Sequence, residues 1–300
     1  MIVQEQVRDA LTQGQPVVAL ESTLITHGLP WPQNVQCALG AQAAVREHGA
    51  IPATIAVLQG TITVGLSDGE IEQLARVQGA EKVSRRNLAT TVARGKTGAT
   101  TVAASMWCAH RAGLTIFATG GIGGVHRGAE HTFDISADLN ELGRTPMAVV
   151  CAGAKYMLDL AKTVEVLESN GVPILGFRTE QFPGFFTAHT GLPVDARFED
   201  TASLARVIHK HRAMGLENGL LVVQPPPQEY AIDHAELEAW LTTALARADG
   251  AGIFGHQLTP YLLEQLRILS SGQTLALNMA LIRANAALAA QLAGALRSIQ

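Results

Sequence analysis

A glycine-rich block surrounded by charged and hydroxyl side chains is the part of the chain best suited to chemistry. It runs from Thr119 to Gly128 and is followed by Asp134-Ile-Ser-Ala-Asp138 and then by Ala-Gly-Ala-Lys155. Glycine lets the main chain approach a bound group closely, and the polar side chains supply charge and hydrogen bonds. A lysine among apolar residues tends to lose its proton, and a neutral amine is a nucleophile. Together these features indicate an active site for sugar-phosphate chemistry through a lysine adduct.

Two familiar nucleotide-binding patterns do not fit the glycine block. A dinucleotide fingerprint that starts at Gly121 would need glycine where His126 stands, and no Gly-Lys-Ser/Thr sequence follows. A tight turn would explain one or two glycines, but five lie between Gly120 and Gly128, with His126 and Arg127 among them. We therefore favour a ligand-binding loop.

The aspartates after the glycine block have two interpretations that their spacing does not separate. Asp134 can cap a short helix whose first turn is solvated. Alternatively, Asp134 ligates a divalent cation while Ser136 and Asp138 bind substrate. A site with one carboxylate and several waters suits a hard ion such as Mg²⁺ or Mn²⁺.

Glu21 and Lys82 lie elsewhere in the chain but have the side-chain types that this chemistry needs. Glu21 follows the apolar segment 17–20, where partial burial is expected to raise its pKa and to favour a role as general acid. The alternative for Glu21 is a structural carboxylate bonded to a loop amide. Lys82 is typical of a surface charge, but it also suits phosphate capture, with Arg85 and Arg86 as competitors for that role.

The last long apolar segment, 275–296, is a poor membrane span because it contains Asn278, Arg283, Asn285 and Gln291. It is instead typical of a buried or subunit-packing helix. Within it Asn278 is either a packing amide or a group that recognises a base, and packing is favoured.

Alternating strands and helices predict an α/β fold that forms one large domain over residues 1–300, with a mostly parallel sheet flanked by helices. Strands are predicted at 16–20, 51–58, 61–65, 114–118, 147–151, 173–177 and 219–223, and helices at 34–48, 100–111, 134–142, 155–169, 201–214, 234–247, 260–270 and 274–297. Another helix begins at a capping box, Ser67 to Glu70. Ligands bind at the carboxyl ends of parallel strands, and Glu21, Thr119 and Lys155 lie at or just past such ends. Segment 181–196 has no period and is expected to fold as a loop over the pocket.

The amino-acid composition limits the classes of function that the chain can have. The chain has 300 residues, 47% of them hydrophobic and 16% charged, with a formal charge of −4. That charge argues against a nucleic-acid binder, which usually has a basic face, but allows small anions as ligands. Three cysteines without metal-type spacing favour a reducing compartment, and the N-terminus lacks the pattern of a signal peptide. A cytoplasmic protein without a membrane segment is therefore expected.

Five segments together resemble the pseudouridine-5'-phosphate glycosidase family. They are Ala19-Leu-Glu-Ser-Thr-Leu-Ile-Thr-His-Gly-Leu-Pro30, Lys82-Val-Ser-Arg-Arg-Asn87, Phe117-Ala-Thr-Gly-Gly-Ile-Gly-Gly-Val-His-Arg-Gly128, Thr132-Phe-Asp-Ile-Ser-Ala-Asp138 and Ala-Gly-Ala-Lys155. The resemblance covers most of the chain, from about residue 15 to the C-terminal helix, and its motifs are long and unusual. It implies an indigoidine synthase A-like fold.

The resemblance also implies an activity: the reversible cleavage of pseudouridine 5'-phosphate to uracil and ribose 5-phosphate by a homotrimer with one Mn²⁺ per subunit. By matching motif, Lys155 is the nucleophile, Glu21 the proton donor and Asp134 the metal ligand. The implied substrate-binding residues are Lys82, Val102, Ser136, Ala137, Asp138, Thr119, His126 and Asn278. Two alternatives stay open, a Schiff-base aldolase acting on another sugar phosphate and a sugar-phosphate-binding module without catalysis.

Overall fold

The computed structural model describes residues 1–255 and 258–299. The strands are β1 (Ile2–Val3), β2 (Val17–Leu20), β3 (Ile51–Leu58), β4 (Thr61–Val64), β5 (Glu81–Val83), β6 (Gly98–Thr100), β7 (Ile116–Ala118), β8 (Ala148–Cys151), β9 (Ile174–Phe177), β10 (Ala196–Phe198) and β11 (Leu220–Val223). The helices are α1 (Glu5–Thr12), α2 (Gln33–Glu47), α3 (Asp68–Arg76), α4 (Leu88–Ala93), α5 (Val102–Arg111), α6 (Ala129–Thr132), α7 (Ala137–Leu142), α8 (Leu160–Ser169), α9 (Thr201–Ala213), α10 (His234–Gly250), α11 (Leu258–Leu269) and α12 (Gln273–Arg297).

The strands form one mixed sheet in the order β1-β4-β3-β2-β7-β8-β11-β9-β10, and β6 pairs with both β3 and β5 beside this path. Among the described residues only β3 with β4 and β3 with β6 pair antiparallel; the other pairs are parallel. The predicted mostly parallel sheet flanked by helices is confirmed, and β3 and β4 form an antiparallel hairpin.

The central strands are apolar along their whole length because both faces of the sheet are covered. Along β2, Val18 and Leu20 belong to one buried cluster, while Val17 and Ala19 belong to a second. Alternate residues of a strand point to opposite faces, so this division places a core on each side of the sheet. Helices α2, α9 and α12 supply the first cluster, and α1, α5 and α8 supply much of the second.

Helix α12 is long and apolar enough to cross a membrane by length and composition alone. In the structure it packs against α2, α9 and strands β2, β7 and β8. Its buried side chains include Asn278 and Asn285, two amides that a lipid environment would penalise. The apolar sequence of α12 therefore reflects a core helix.

Two predicted helices begin later than the sequence indicates. The helix predicted from residue 155 begins at Leu160, because Asp159 caps it by accepting a hydrogen bond from the Lys162 amide. The helix predicted from residue 134 begins at Ala137, with the Ser136 side chain as its cap. Asp134 is therefore not a helix cap, and Lys155 lies in irregular chain between β8 and α8. The short elements β1, β5, β6, β10, α1, α4 and α6 were not predicted.

Candidate active site

A cavity of about 370 Å³ lies at the carboxyl ends of β2, β7 and β8. Nine of the eleven predicted site residues line it, all except Thr119 and Asn278. Its full lining is Glu21, Thr23, Lys82, Ser84, Arg86, Thr101, Val102, Gly123, His126, Asp134, Ile135, Ser136, Ala137, Asp138, Lys155, Leu158, Gly255 and Thr259. The fold thus brings together side chains that are far apart in sequence, and their individual roles stay predictions.

Glu21 lines this cavity, and Thr119 lies beside Glu21 because β2 and β7 are neighbours in the sheet. Leu20 pairs with Ala118 across the two strands, so Glu21 and Thr119, the residues that follow, lie side by side. The Thr119 hydroxyl donates a hydrogen bond to the Glu21 carboxylate. Burial raises the pKa of Glu21, and the nearby Lys155 ammonium and the Thr119 hydrogen bond oppose that rise. A carboxyl group held in this way is suited to donating a proton near neutral pH.

The irregular segment after β8 carries Lys155 into the cavity. The Lys155 amide donates to the Ile122 carbonyl at 3.2 Å, which ties this segment to the glycine block. Gly153 in the same segment has φ +74°, and an added Cβ would lie 1.7 Å from the Pro183 carbonyl oxygen. Only glycine allows this close approach. The 181–196 segment is thereby packed next to Lys155, and it forms the irregular loop that its sequence predicts.

Lys82 and the N-terminus of α5 supply positive charge to the cavity. Burial lowers the pKa of Lys82, and the nearby Lys155 ammonium adds to this effect. Thr101 caps α5, and Val102 is its first residue, so the Val102 amide has no partner within the helix. Because a helix N-terminus attracts anions, this part of the cavity suits the phosphate of a substrate.

Asp138 joins three segments of the site. Its Oδ1 accepts a hydrogen bond from the Ala103 amide at 3.0 Å, and its Oδ2 accepts one from the Gly123 amide at 2.8 Å. An added Cβ at Gly123 would lie 2.2 Å from the Ser136 hydroxyl oxygen, so glycine is needed there. The buried carboxylate therefore fixes the glycine block against α5 and α7, in addition to its predicted contact with substrate.

Asp134 and His126 are the residues best placed to hold a metal. The Asp134 Oδ2 lies 3.8 Å from Nδ1 of His126, and the Asp134 side chain is 38% exposed. Burial lowers the pKa of His126, although Asp134 opposes this, so the imidazole tends to be neutral and able to bind a metal. Among residues 1–255 and 258–299 no three His, Cys, Asp or Glu side chains cluster as a metal site. One carboxylate facing the cavity fits a hard divalent ion held mainly by waters and substrate oxygens.

Arg85 and Arg86, both candidates for phosphate capture, differ in placement. Arg85 is turned away from the cavity and bonds to the fully buried Glu141. Arg86 lines the cavity together with Lys82. The sequence identified Arg86 only as one candidate of three, and it gave no signal for Ser84, Thr101 or Thr23, which also line the cavity.

Asn278 lies apart from this cavity. It lines a second one of about 350 Å³, beside His27 and Phe186. Its Oδ1 atom is buried and has no hydrogen-bond partner among the described residues. A buried acceptor without a donor is unfavourable unless a ligand or water supplies one. This observation shifts the balance from a packing amide toward a binding residue.

Comparison with known proteins decides the family. Residues 6–295 match the sequence profile described as indigoidine synthase A like protein. The chain belongs to this family. The indigoidine synthase A-like chain is 50% identical to a pseudouridine-5'-phosphate glycosidase of Caldanaerobacter subterraneus, over 96% of its own length and 94% of the relative. It is 52% identical to the enzyme of the same name from Methylobacterium nodulans, over 97% of its own length and 87% of the relative.

Two solved structures have the same fold. The prealnumycin C-glycosynthase AlnA in complex with ribulose 5-phosphate superposes with a TM-score of 0.92, is 39% identical, and is matched over 100% of this chain and 97% of AlnA. An indigoidine synthase A-like protein from Thermotoga maritima superposes with a TM-score of 0.88 and is 37% identical, over 95% of this chain and 94% of the other. The predicted indigoidine synthase A-like fold is confirmed.

Proposed function

We propose that the protein is a pseudouridine-5'-phosphate glycosidase, which reversibly cleaves pseudouridine 5'-phosphate to uracil and ribose 5-phosphate. The observation that carries this proposal is the placement of Lys155, Glu21 and Lys82 around one cavity. Relatives about 50% identical over nearly the whole chain have this name, which supports the same activity here. The AlnA complex supports a sugar phosphate as the class of ligand.

The chemistry requires an amine. Pseudouridine joins C1' of ribose to C5 of the base by a carbon–carbon bond, so no leaving heteroatom can be protonated as in an ordinary glycosidase. When the sugar ring opens by breaking of the C1'–O4' bond, the Lys155 amine adds to C1' and its proton passes to O4'. As the C1'–C5 bond then breaks, the nitrogen lone pair forms an iminium with C1' and the bonding pair goes to C5 of uracil. Glu21 then delivers the proton that C5 of uracil gains. Water afterwards releases ribose 5-phosphate from the lysine. Arginine could not replace Lys155, since it does not deprotonate in proteins.

A metal completes the proposed site, with Mn²⁺ as the expected ion and one ion per subunit. Asp134 would hold it, with His126 as the nearest further ligand. When bound, such an ion supplies positive charge that orients water and substrate oxygens. Asp134 would therefore provide the charge that keeps the ion near the cavity, while Asp138 keeps the glycine block in place.

The substrate contacts are proposed at the two cavities described above. The phosphate end is proposed to lie at Lys82, the Val102 amide and residues Ser136 to Asp138, where positive charge and helix N-termini meet. Asn278 is proposed to recognise the base, because its free Oδ1 can accept a hydrogen bond from a uracil N–H. Thr259 lines the first cavity and Pro260 lines the second, so the first turn of α11 borders both.

The assembly and location are also proposals. A homotrimer is proposed on the family resemblance described above. A cytoplasmic location is supported by the three cysteines, which are buried and free.

The test is to incubate the protein with pseudouridine 5'-phosphate and Mn²⁺ and to trap intermediates with borohydride. Uracil release and a sugar-phosphate mass on the Lys155 peptide are expected, and both should disappear in Lys155→Ala. Lys162→Ala is the matched control, because this exposed lysine pairs with Glu130 and Asp159 and does not line the cavity. An adduct without uracil release would favour an aldolase instead, and binding without adduct or turnover would favour a non-catalytic module.

A further inference from the structure

Asn285 on α12 lies directly behind the pair formed by Glu21 and Thr119. Its side chain is 1% exposed, and its Nδ2 donates to the Thr119 carbonyl at 2.8 Å and to the Gly120 carbonyl at 3.2 Å. It does not line the cavity with Lys155. Its contact with the site is therefore through the main chain of the residue that bonds to Glu21.

The orientation of the Asn285 amide is set by a second buried contact. Gln224, the residue after β11, donates from Nε2 to the Asn285 Oδ1 at 2.8 Å. The Gln224 main chain is itself fixed, because its amide donates to the Cys151 carbonyl at 3.1 Å. With Oδ1 occupied by a donor, the Asn285 Nδ2 must face the two carbonyls.

Helix α12 is held against this loop by close packing. An added Cβ at Gly120 would lie 2.9 Å from Cγ1 of Ile282 and 3.3 Å from Cδ1 of Leu281. The Gly120 carbonyl also accepts from the Ala152 amide at 3.0 Å, and the Thr119 amide donates to the Val150 carbonyl at 3.0 Å. Thr119 is thus fixed by β8 on one side and by Asn285 on the other.

We propose that Asn285 is a positioning residue for the proton donor: it holds the Thr119 main chain so that the Thr119 hydroxyl is directed at the Glu21 carboxylate. This inference rests on the proposed function, in which Glu21 donates the proton. Without the Asn285 amide, two carbonyls lose a buried donor and the end of β7 is free to shift. The Thr119 hydroxyl then bonds to Glu21 less well, while the substrate phosphate contacts are unaffected.

The direction of the expected effect follows from the groups that face Glu21. Burial raises the pKa of Glu21, the hydrogen bond from Thr119 and the charges of Lys155 and Lys82 lower it, and Asp138 raises it. The thiol of Cys37 also lies near, and burial raises the pKa of that thiol to about 12, so it stays neutral. Loss of the Thr119 bond leaves the burial effect less opposed. The pH at which Glu21 ionises should therefore rise.

The test measures kcat and KM against pH for wild type, Asn285→Ala, Thr119→Val and the double variant. For Asn285→Ala we expect kcat to fall by about tenfold, with KM changed by less than about twofold. The limb on which activity falls with rising pH should move to higher pH. In protein that already carries Thr119→Val, Asn285→Ala should lower kcat little further, because the hydrogen bond from the Thr119 hydroxyl to Glu21 is already absent.

Two further measurements separate positioning from general loss of stability. Leu296→Ala removes a buried side chain of the same helix, 4% exposed, beside the opposite ends of the strands, and should lower stability without moving the pH profile. Infrared titration of the protonated Glu21 carboxyl, assigned by its absence in Glu21→Gln, reports ionisation without turnover. Its midpoint should rise in Asn285→Ala and in Asn285→Leu, which is close in size to asparagine and loses the donor without adding a charge.

Unchanged pH dependence and unchanged carboxyl titration in both Asn285 variants would overturn the inference, as would an Asn285→Ala effect that is undiminished by Thr119→Val. These results differ from failure of the proposed function, which would appear as a wild-type protein that releases no uracil. If Asn285→Ala does not fold, Asn285→Leu and Gln224→Leu answer the same question, since each removes or misdirects the same donor without adding a charge.

Discussion

Nη1 of Arg85 lies 2.6 Å from one oxygen of Glu141 and 2.7 Å from the other. The Glu141 side chain is fully buried and also accepts from Thr145 at 2.6 Å and from Arg144 at 3.1 Å. Arg85 lies shortly after Lys82, which lines the cavity with Lys155. Glu141 lies on α7, whose cap Ser136 and first-turn residue Asp138 line the same cavity. This ion pair therefore connects two segments that are proposed to bind the phosphate.

Replacing Glu141 by Ala should destabilise the fold. Removal of the fully buried Glu141 carboxylate takes the acceptor from Arg85, Arg144 and the buried Thr145 hydroxyl, and costs about 2 kcal/mol in the free energy of unfolding. Urea denaturation measures the change. Glu47→Ala is the matched control, because Glu47 pairs with Arg283 at 3.3 Å on the surface, where a salt bridge contributes less than about 1 kcal/mol. Equal losses of unfolding free energy in the two variants would contradict the larger contribution expected of the buried Glu141.

Arg86→Gln should weaken substrate binding and leave the chemical step nearly intact. The Arg86 guanidinium lines the cavity beside Lys82 and the N-terminus of α5. A charged hydrogen bond to phosphate is worth about 1.5 kcal/mol or more, so KM should rise about tenfold with little change in kcat. Steady-state kinetics with pseudouridine 5'-phosphate tests this. Arg94→Gln, in an exposed position after α4, should behave as wild type; an equal rise in KM there would point to a general charge effect.

Asp134→Asn should weaken metal binding. The variant loses the carboxylate charge that faces the cavity, so the Mn²⁺ concentration for half-maximal activity should rise by about tenfold or more. Electron paramagnetic resonance of free Mn²⁺ measures binding without turnover. Asp249→Asn, on the exposed face of α10, serves as control. A metal titration of Asp134→Asn that overlays the wild type would exclude Asp134 as the ligand.

His211 should make the protein less stable in mild acid. Its ring is 6% exposed, and both ring nitrogens lack a hydrogen-bond partner among the described residues. Burial lowers the pKa of His211, and Asn218 opposes this only in part. The folded state therefore resists protonation, so the stability is fully present above the unfolded value near 6.5 and is lost as pH falls through it.

The measurement is the free energy of unfolding at several pH values between 5 and 7.5 for wild type and His211→Gln. The free energy of unfolding of His211→Gln should fall less steeply than that of the wild type as the pH is lowered. His110→Gln, at an exposed position of α5, should keep the wild-type slope. Burial also lowers the pKa values of His27 and His126. These two histidines are expected to cause the pH dependence of the unfolding free energy that remains in His211→Gln. A His211→Gln slope as steep as that of the wild type would contradict the assignment.

The sequence predicts well those elements whose signals are local. The apolar run 51–58 is the strand β3, and the Ser67–Glu70 capping box is present with both of its hydrogen bonds. Glu21, Lys155 and the glycine block were located because strand ends in parallel sheets collect functional residues. These features depend on the pattern of side chains over a few neighbouring residues, and such a pattern can be recognised in one sequence without knowledge of tertiary contacts.

Features that depend on distant contacts were not predicted. Strands β5 and β6 have three residues each, and their pairing with each other and with β3 is decided by the sheet. The helix predicted from residue 155 begins at Leu160, since the chain near Lys155 follows its bond to Ile122 and the approach of Pro183. The use of both Asp138 oxygens by main-chain amides likewise has no local signature.

The bond from Asn285 to Thr119 joins residues that are 166 positions apart. During synthesis the chain emerges from its N-terminus, so Glu21, Thr119 and Lys155 are all translated well before α12. The proton donor can reach its final geometry only after the last helix docks. Full catalytic competence is thereby expected late in biogenesis, because a nascent chain that stops before residue 285 holds every reacting group but lacks the Asn285 amide that bonds to Thr119.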